Sequence, residues 1–278
     1  MFIPKHLNKI IMHIQGKIIL VTGGGSGIGR ALVLNLLNRG ANVAAVDVHE
    51  TTLQETKQLA GTFSNKLSIH VVNVTDFHAV AKLLQQLLEV HGAIDGIINN
   101  AGIIQPFVKV NDLTMESIQK VMDVNFFGML YVTKTFLPEL LKRPEAHIVN
   151  ISSMGGFLPV PGQTLYGASK AAVKLFTEGL HSELRDTSVR VTVIFPGAVE
   201  TNITQNSGIA MPVQSSNSSK KFNMLSADGA AQDIISAMEQ NKYRACIGKD
   251  SKLMDLLYRI APEFAAGYIA KKMASLLK

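Results

Sequence analysis

From Lys17 onward, short apolar runs rich in β-branched residues alternate with longer segments whose apolar residues recur every three or four positions. Runs of the first kind suit strands buried on both faces, and segments of the second suit helices laid on a sheet. Seven strands are predicted: Lys17–Thr22, Asn42–Asp47, Leu67–Val72, Ile94–Asn99, Ala146–Ile151, Val189–Ile194 and Tyr243–Ile247. Helices are predicted over Ile28–Asn38, Asp76–Val90 and Leu165–Asp186. Strand and helix in strict alternation imply right-handed crossovers and a mainly parallel sheet, so the expected fold class is α/β, one doubly wound domain of about seven strands with helices on both faces. The chain divides into an N-terminal extension (1–16), the sheet domain (17–248) and a C-terminal amphipathic helical extension (249–278). Gln214–Lys221, QSSNSSKK, reads as a mobile loop.

Composition supports one well-filled domain: of 278 residues, 47% are hydrophobic and 17% charged. Cys246 is the only cysteine, which excludes an intrachain disulfide and a cysteine zinc cluster. The formal charge of +6 suggests nucleic acid until it is placed along the chain. Residues 1–17 hold three lysines and no acid, and residues 242–278 hold eight cations against three acids, so the ends carry +8 and the body −2. No basic face is left for a phosphate backbone. The N-terminus interleaves lysines with apolar residues, unlike a secretory signal, and no stretch reaches about 18 consecutive apolar residues, so a cytoplasmic protein is expected. The eight histidines fall at no metal-ligand spacing, and no metal is expected. The last segment, split by Pro262, has Leu253, Leu256, Leu257 and Ile260 among basic residues. It reads as a cover for the domain or a neighbouring subunit, with peripheral contact to an anionic membrane as the alternative.

The chemistry begins at Val21–Arg30, VTGGGSGIGR, between the first strand and first helix. Glycines there let the backbone turn sharply toward a pyrophosphate at the helix N-terminus, where unpaired N–H groups and the helix dipole favour an anion. The spacing is T-G-x-x-x-G-x-G, through Gly23, Gly27 and Gly29, rather than G-x-G-x-x-G. Tight turns recruit glycine for steric reasons alone, so context decides. Twenty residues past Gly27, Asp47 ends the second strand, where a carboxylate can accept from adenosine ribose hydroxyls and repel a 2′-phosphate. Val48 follows and Ser26 sits in the turn, so no phosphate clamp is visible, and NAD is expected over NADP; Arg30 and His49 are the residues that could oppose this. The plainer role for Asp47 is to cap the next helix.

Tyr166 and Lys170, four apart near the start of a long helix, project from one face. A phenol is a poor acid–base catalyst at neutral pH, and a nearby ammonium stabilises the phenolate. Ser152 and Ser153 end the fifth strand, at the edge where open α/β sheets bind ligands. Together, TGGGSGIG, Asn99-Asn100-Ala101-Gly102, Asn125, Ser153, Tyr166-x-x-x-Lys170 and Pro196-Gly197 resemble the short-chain dehydrogenase/reductase family over roughly 17–201.

The resemblance implies a Rossmann-like fold and an enzyme that moves hydride between a nicotinamide and a secondary alcohol or ketone. Tyr166 would be the general acid/base, Ser153 would hold the substrate oxygen, Lys170 would bind the nicotinamide ribose, and Asn125 would anchor a water chain behind the lysine. Ser153 fits the family spacing better than Ser152, which would stabilise the strand end. The implied dinucleotide site comprises Gly23, Ser26, Gly27, Ile28, Gly29, Asp47, Asn73, Val74, Asn99, Ala101, Gly102, Tyr166, Lys170, Pro196, Gly197, Val199 and Thr201. Asn99 to Gly102 serve either as the adenosine-side wall or as sheet support. The family's usual aspartate is replaced by Asn73, whose amide oxygen could still accept from the adenine amino group. A homodimer or homotetramer is expected, with a substrate loop at about 202–225 whose Met211, Phe222, Met224 and Leu225 suggest an apolar substrate. A dinucleotide sensor without catalysis and an epimerase of the same fold are the alternatives.

Overall fold

The computed structural model describes residues 12–209 and 224–274. The loop at Gln214–Lys221, with Met211 and Phe222, lies outside the described residues. In chain order the elements are β1 (Ile18–Thr22), α1 (Gly27–Asn38), β2 (Asn42–Asp47), α2 (Glu50–Leu59), β3 (Leu67–Val71), α3 (Phe77–His91), β4 (Gly96–Asn99), α4 (Met115–Met122), α5 (Met129–Leu141), β5 (Ala146–Ile151), α6 (Thr164–Glu183), β6 (Val189–Pro196), α7 (Ile203–Asn206), α8 (Ala227–Glu239), β7 (Arg244–Ile247), α9 (Lys249–Ile260) and α10 (Pro262–Met273). All seven expected strands are present. The departures of two residues are at β4, which starts at Gly96, and β6, which runs on to Pro196; just before β4 the Asp95 carboxylate accepts from Ile18 N and Arg143 Nε.

The strands form one parallel sheet in the order β3-β2-β1-β4-β5-β6-β7. Alternate residues feed two cores. Ile19, Val21, Val43 and Ala45 face α1 and α8 through Leu36, Ile234 and Met238. Leu20, Ala44 and Val46 face α3, α5 and α6 through Leu83, Phe136 and Leu180. Burial on both faces explains why the strands read as nearly unbroken apolar runs. The order reverses direction between β1 and β4, and that switch point opens a crevice at the carboxyl ends of the strands.

The ends of the described chain pack on this body. Met12 and Ile14 are buried in the α1–α8 core, and Met12 N donates to Glu239 O at 3.0 Å. Met254 and Ala265, from α9 and α10, close over Leu158 beside Met154 and Phe157, so these two helices lie against the segment that follows Ser153. Leu253, Leu256, Ile260 and Phe264 stay exposed. Among the described residues, no helix is long and apolar enough to cross a membrane.

Candidate active site

A cavity of about 1020 Å³ fills the switch-point crevice. Its floor is the turn from β1 to α1, where Gly23 and Gly27 take positive φ. A Cβ on Gly29 would overlap the Gly23 carbonyl, so the third glycine lets the helix close on the turn. It lies behind the turn rather than on the wall, whereas Gly23, Ser26, Gly27 and Ile28 line the cavity. Across the switch point the turn is tied to the segment after β4: Thr22 Oγ1 accepts from Asn100 N at 3.0 Å and Ala101 N at 3.1 Å, and Asn100 Nδ2 donates to Thr22 O at 3.0 Å.

Of the four residues Asn99 to Gly102, the last three line the cavity and the first does not. Asn99 is buried in the sheet, its Nδ2 donating to Thr133 Oγ1 at 3.0 Å and Asn150 Oδ1 at 2.8 Å. Strand alternation sends its side chain into the protein, where it supports the sheet, one of the two roles expected for this segment. Asn100 takes the place on the wall.

Asp47, Val48, His49, Asn73, Val74 and Thr75 form one end of the cavity. Asp47 Oδ2 accepts from Gly25 N at 3.0 Å and Oδ1 from His49 N at 3.2 Å. The N-cap position of α2 belongs to His49, so helix capping does not account for the carboxylate. Arg30 is turned away: it pairs with Glu55 at 2.6 Å and donates to Gly25 O, whereas His49 remains on the wall. Asn73 departs from expectation in one respect. The amide oxygen assigned to adenine already accepts from Thr75 N at 3.0 Å and Thr75 Oγ1 at 2.9 Å, because the loop closes a local turn on it.

Ser153, Tyr166 and Lys170 form the other end. Ser153 Oγ accepts from Gly155 N at 3.1 Å, and the Cβ position of Gly155 is 3.5 Å from both Ser153 Oγ and Tyr166 Cε1. Ser152 instead donates to Lys170 O at 2.7 Å, which ties the strand end to the helix. Lys170 Nζ donates to Ile151 O at 3.0 Å and lies 6.0 Å from the Tyr166 ring centre. Burial pulls Lys170 down to about 8. Burial also pushes the Tyr166 phenol above its ordinary value, with the Ser153 side chain acting in the opposite direction. Burial of the phenol is the first cause of the shift, and the Ser153 side chain is the influence that opposes it.

Asn125 lies in a π-helical turn, Asp123–Gly128, between α4 and α5, a distortion often found at functional sites. Its Oδ1 accepts from Ile103 N at 2.8 Å, and its Nδ2 donates to Ile103 O and Ser169 Oγ, both at 2.9 Å. It is buried behind the wall. The Cβ position of Gly102 is 3.1 Å from Lys170 Nζ and 3.2 Å from Asn125 Oδ1, so both side chains come up against the open face of that glycine.

Pro196, Gly197, Val199 and Thr201 line the side facing the glycine turn. Their segment is held by Asp250, whose Oδ2 accepts from Ala198 N at 2.7 Å. Asn206 Nδ2 donates to Ser26 Oγ at 2.7 Å, latching α7 to the turn. Sequence reasoning missed Asp250 and Asn206, which carry no motif and reach the site only through tertiary contacts.

The family model for short chain dehydrogenases matches residues 17–211. A Mycobacterium tuberculosis protein named as an oxidoreductase, SadH, is 34% identical over 252 residues, covering 88% of this chain and 91% of that protein. A short chain dehydrogenase/reductase from Burkholderia phymatum in complex with NAD matches with a TM-score of 0.81 at 24% identity, covering 91% of this chain and 96% of that one. Another, from Burkholderia cenocepacia in complex with NADP, matches with a TM-score of 0.78 at 24% identity, covering 93% and 99%. With the shared sheet and a family match running from β1 past α7, the chain belongs to the short chain dehydrogenase family of oxidoreductases.

Proposed function

We propose that the chain is an NAD(H)-dependent dehydrogenase or reductase acting on a hydrophobic secondary alcohol or its ketone, with Tyr166 as general acid/base. The observation that carries the reading is that Ser153, Tyr166 and Lys170 converge on the same cavity as the glycine turn and Asp47. The residues fit a dinucleotide. The turn keeps clear of Cβ atoms where a pyrophosphate approaches the start of α1, a carboxylate ends β2 where a ribose would lie, and the cavity continues to the tyrosine.

In this reading Gly23, Ser26, Gly27 and Ile28 hold the pyrophosphate. Asp47 accepts from the adenosine ribose and disfavours a 2′-phosphate, while Val74, Ala101 and Gly102 flank the adenosine half. Pro196, Gly197, Val199 and Thr201 hold the nicotinamide end. The nicotinamide supplies or receives the hydride when bound. Tyr166 Oη gives a proton to the substrate oxygen in reduction and takes it in oxidation, and Ser153 Oγ orients that oxygen. Lys170 would bind the nicotinamide ribose, and its ammonium, 6.0 Å from the Tyr166 ring centre, would favour the phenolate as the proton leaves. Asn125 fixes the backbone at Ile103 and, beside Lys170, offers an anchor for proton exchange with solvent. Met224 and Leu225, expected on the substrate side, do not line the cavity, and Leu225 packs on the α1–α8 core beside Val199; assembly as a homodimer or homotetramer belongs to the same reading.

The test is a panel of secondary alcohols and ketones with NAD(H) and NADP(H), followed by nicotinamide absorbance, for the parent and Tyr166→Phe. The reading expects NAD(H)-linked turnover that Tyr166→Phe removes. Turnover indifferent to the hydroxyl would overturn the assigned chemistry, and a preference for NADP would overturn the role of Asp47.

A further inference from the structure

Helix α6, which carries Tyr166 and Lys170, begins without a side-chain cap of its own: Gln163 holds the N-cap position and makes no capping bond. The open amides of its first turn are met from a distant part of the chain. Gln105, in the segment after β4, has no exposed surface. Its Oε1 accepts from Leu165 N at 2.8 Å and Tyr166 N at 2.9 Å. Its Nε2 donates to Gly162 O at 2.9 Å, and its backbone carbonyl accepts from Gln163 Nε2 at 2.8 Å. Two residues earlier in the same segment, Ile103 exchanges both backbone bonds with the Asn125 amide. Residues 103–105 therefore hold Asn125 at one end and the Tyr166 backbone at the other.

We propose that Gln105 is a positioning residue for the acid/base: by capping α6 from the cleft wall, it sets where the Tyr166 phenol stands relative to Ser153 and Asn125. The role assigned to the phenol rests on the proposed function. Buried helix amides left without partners fray the first turn, and Tyr166 is the third residue of α6. A small displacement at that point is enough to cost a large factor in rate.

The test uses the full chain labelled with ¹³Cζ-tyrosine, as parent, Gln105→Leu, Gln105→Glu and Gln163→Leu, with Tyr166→Phe to assign the resonance. Tyr166 titration and amide exchange at Leu165 and Tyr166 are read without substrate. Steady-state kinetics on an alcohol found in the panel are read beside them. Gln105→Leu keeps the volume and removes the acceptor. Gln105→Glu keeps acceptor oxygens at a helix N-terminus, where a carboxylate is favoured. Gln163→Leu breaks the reciprocal bond and leaves the cap. Gln105→Leu is expected to shift the Tyr166 titration point, speed exchange of both amides about tenfold, and lower kcat about 10- to 100-fold with NADH affinity within about twofold of the parent. Gln105→Glu restores most of each, and Gln163→Leu leaves the titration in place. Where Gln105→Leu does not fold, Gln105→Asn, one methylene short of the amides, is expected to move the same readouts in the same direction. The proposal is overturned if loss of the acceptor leaves titration and exchange at parent values, or if Gln163→Leu shifts them equally. A parent that turns over no alcohol or ketone defeats the proposed function alone, because titration and exchange still decide the role of Gln105.

Discussion

Asp47, the last residue of β2, accepts the Gly25 amide at 3.0 Å, so the carboxylate that selects the cofactor in the proposed function also braces the turn that would hold its pyrophosphate. The two duties separate by substitution. Asp47→Asn keeps an acceptor for Gly25 and removes the charge that opposes a 2′-phosphate. The ratio of kcat/KM for NADP to that for NAD is expected to rise about tenfold or more, a step of roughly 1.4 kcal/mol. Asp47→Ala removes both hydrogen bonds, and affinity for both dinucleotides should fall. A ratio unchanged in the asparagine variant would show that the carboxylate does not discriminate.

Tyr166→Phe removes one hydroxyl from a half-buried ring on the cavity wall and leaves the hydrogen bonds of its backbone intact. Turnover is expected to fall by roughly 10²- to 10⁴-fold, the usual contribution of a positioned acid or base. NADH binding, followed by fluorescence, should stay within a few-fold of the parent. Loss of binding in parallel with turnover would instead mark the hydroxyl as part of the cofactor site.

The strands were legible because burial on both faces leaves unbroken β-branched runs, and the glycine turn because only glycine fits its backbone. Asn99 and Asn100 were not separable in the sequence. They are identical neighbours in one motif, and only the end of β4 sends the first inward to Asn150 and the second toward the turn. Gln105 and Asp250 were invisible for another reason: each acts on backbone amides far away in the chain, Gln105 on residues 165 and 166 and Asp250 on residue 198. The spacing of Tyr166 and Lys170 could be read, but the surroundings that push the phenol upward could not, because tertiary packing makes them.

Asp250 supplies a prediction about stability that depends on the fold and one about affinity that depends on the proposed cofactor. Its Oδ2 bond to Ala198 N fixes the segment after β6, and Ser251 beside it donates to Phe195 O at 2.8 Å. Asp250→Ala leaves a part-buried amide unpaired, at a cost of about 1–3 kcal/mol, and loosens Gly197 to Val199 where they line the cavity. Urea denaturation should show that loss of stability, and NADH affinity should drop about tenfold, the equivalent of about 1.4 kcal/mol. Asp250→Asn, which retains an acceptor, should recover most of both. Full affinity in the alanine variant would free that segment from any part in binding.

Acid sensitivity should trace to His147 on β5, far from the cavity. The imidazole is fully buried, its Nε2 lies 2.8 Å from Thr192 Oγ1, and burial pulls its pKa from 6.5 down to about 3. Between those values the unfolded chain binds a proton that the folded chain refuses, so stability rises with pH. The contribution is fully present above about 6.5 and is lost as pH falls toward 3, with a slope approaching 1.4 kcal/mol per pH unit. His147→Gln offers a nitrogen to Thr192 and has nothing to titrate. Urea denaturation of parent and variant at pH 7, 6, 5 and 4 should show the variant less stable at the top of the range and the gap closing on acidification. Parallel curves would assign the acid-labile step to other groups, because a neutral replacement at this site can change the slope only by removing the proton that His147 takes up on unfolding.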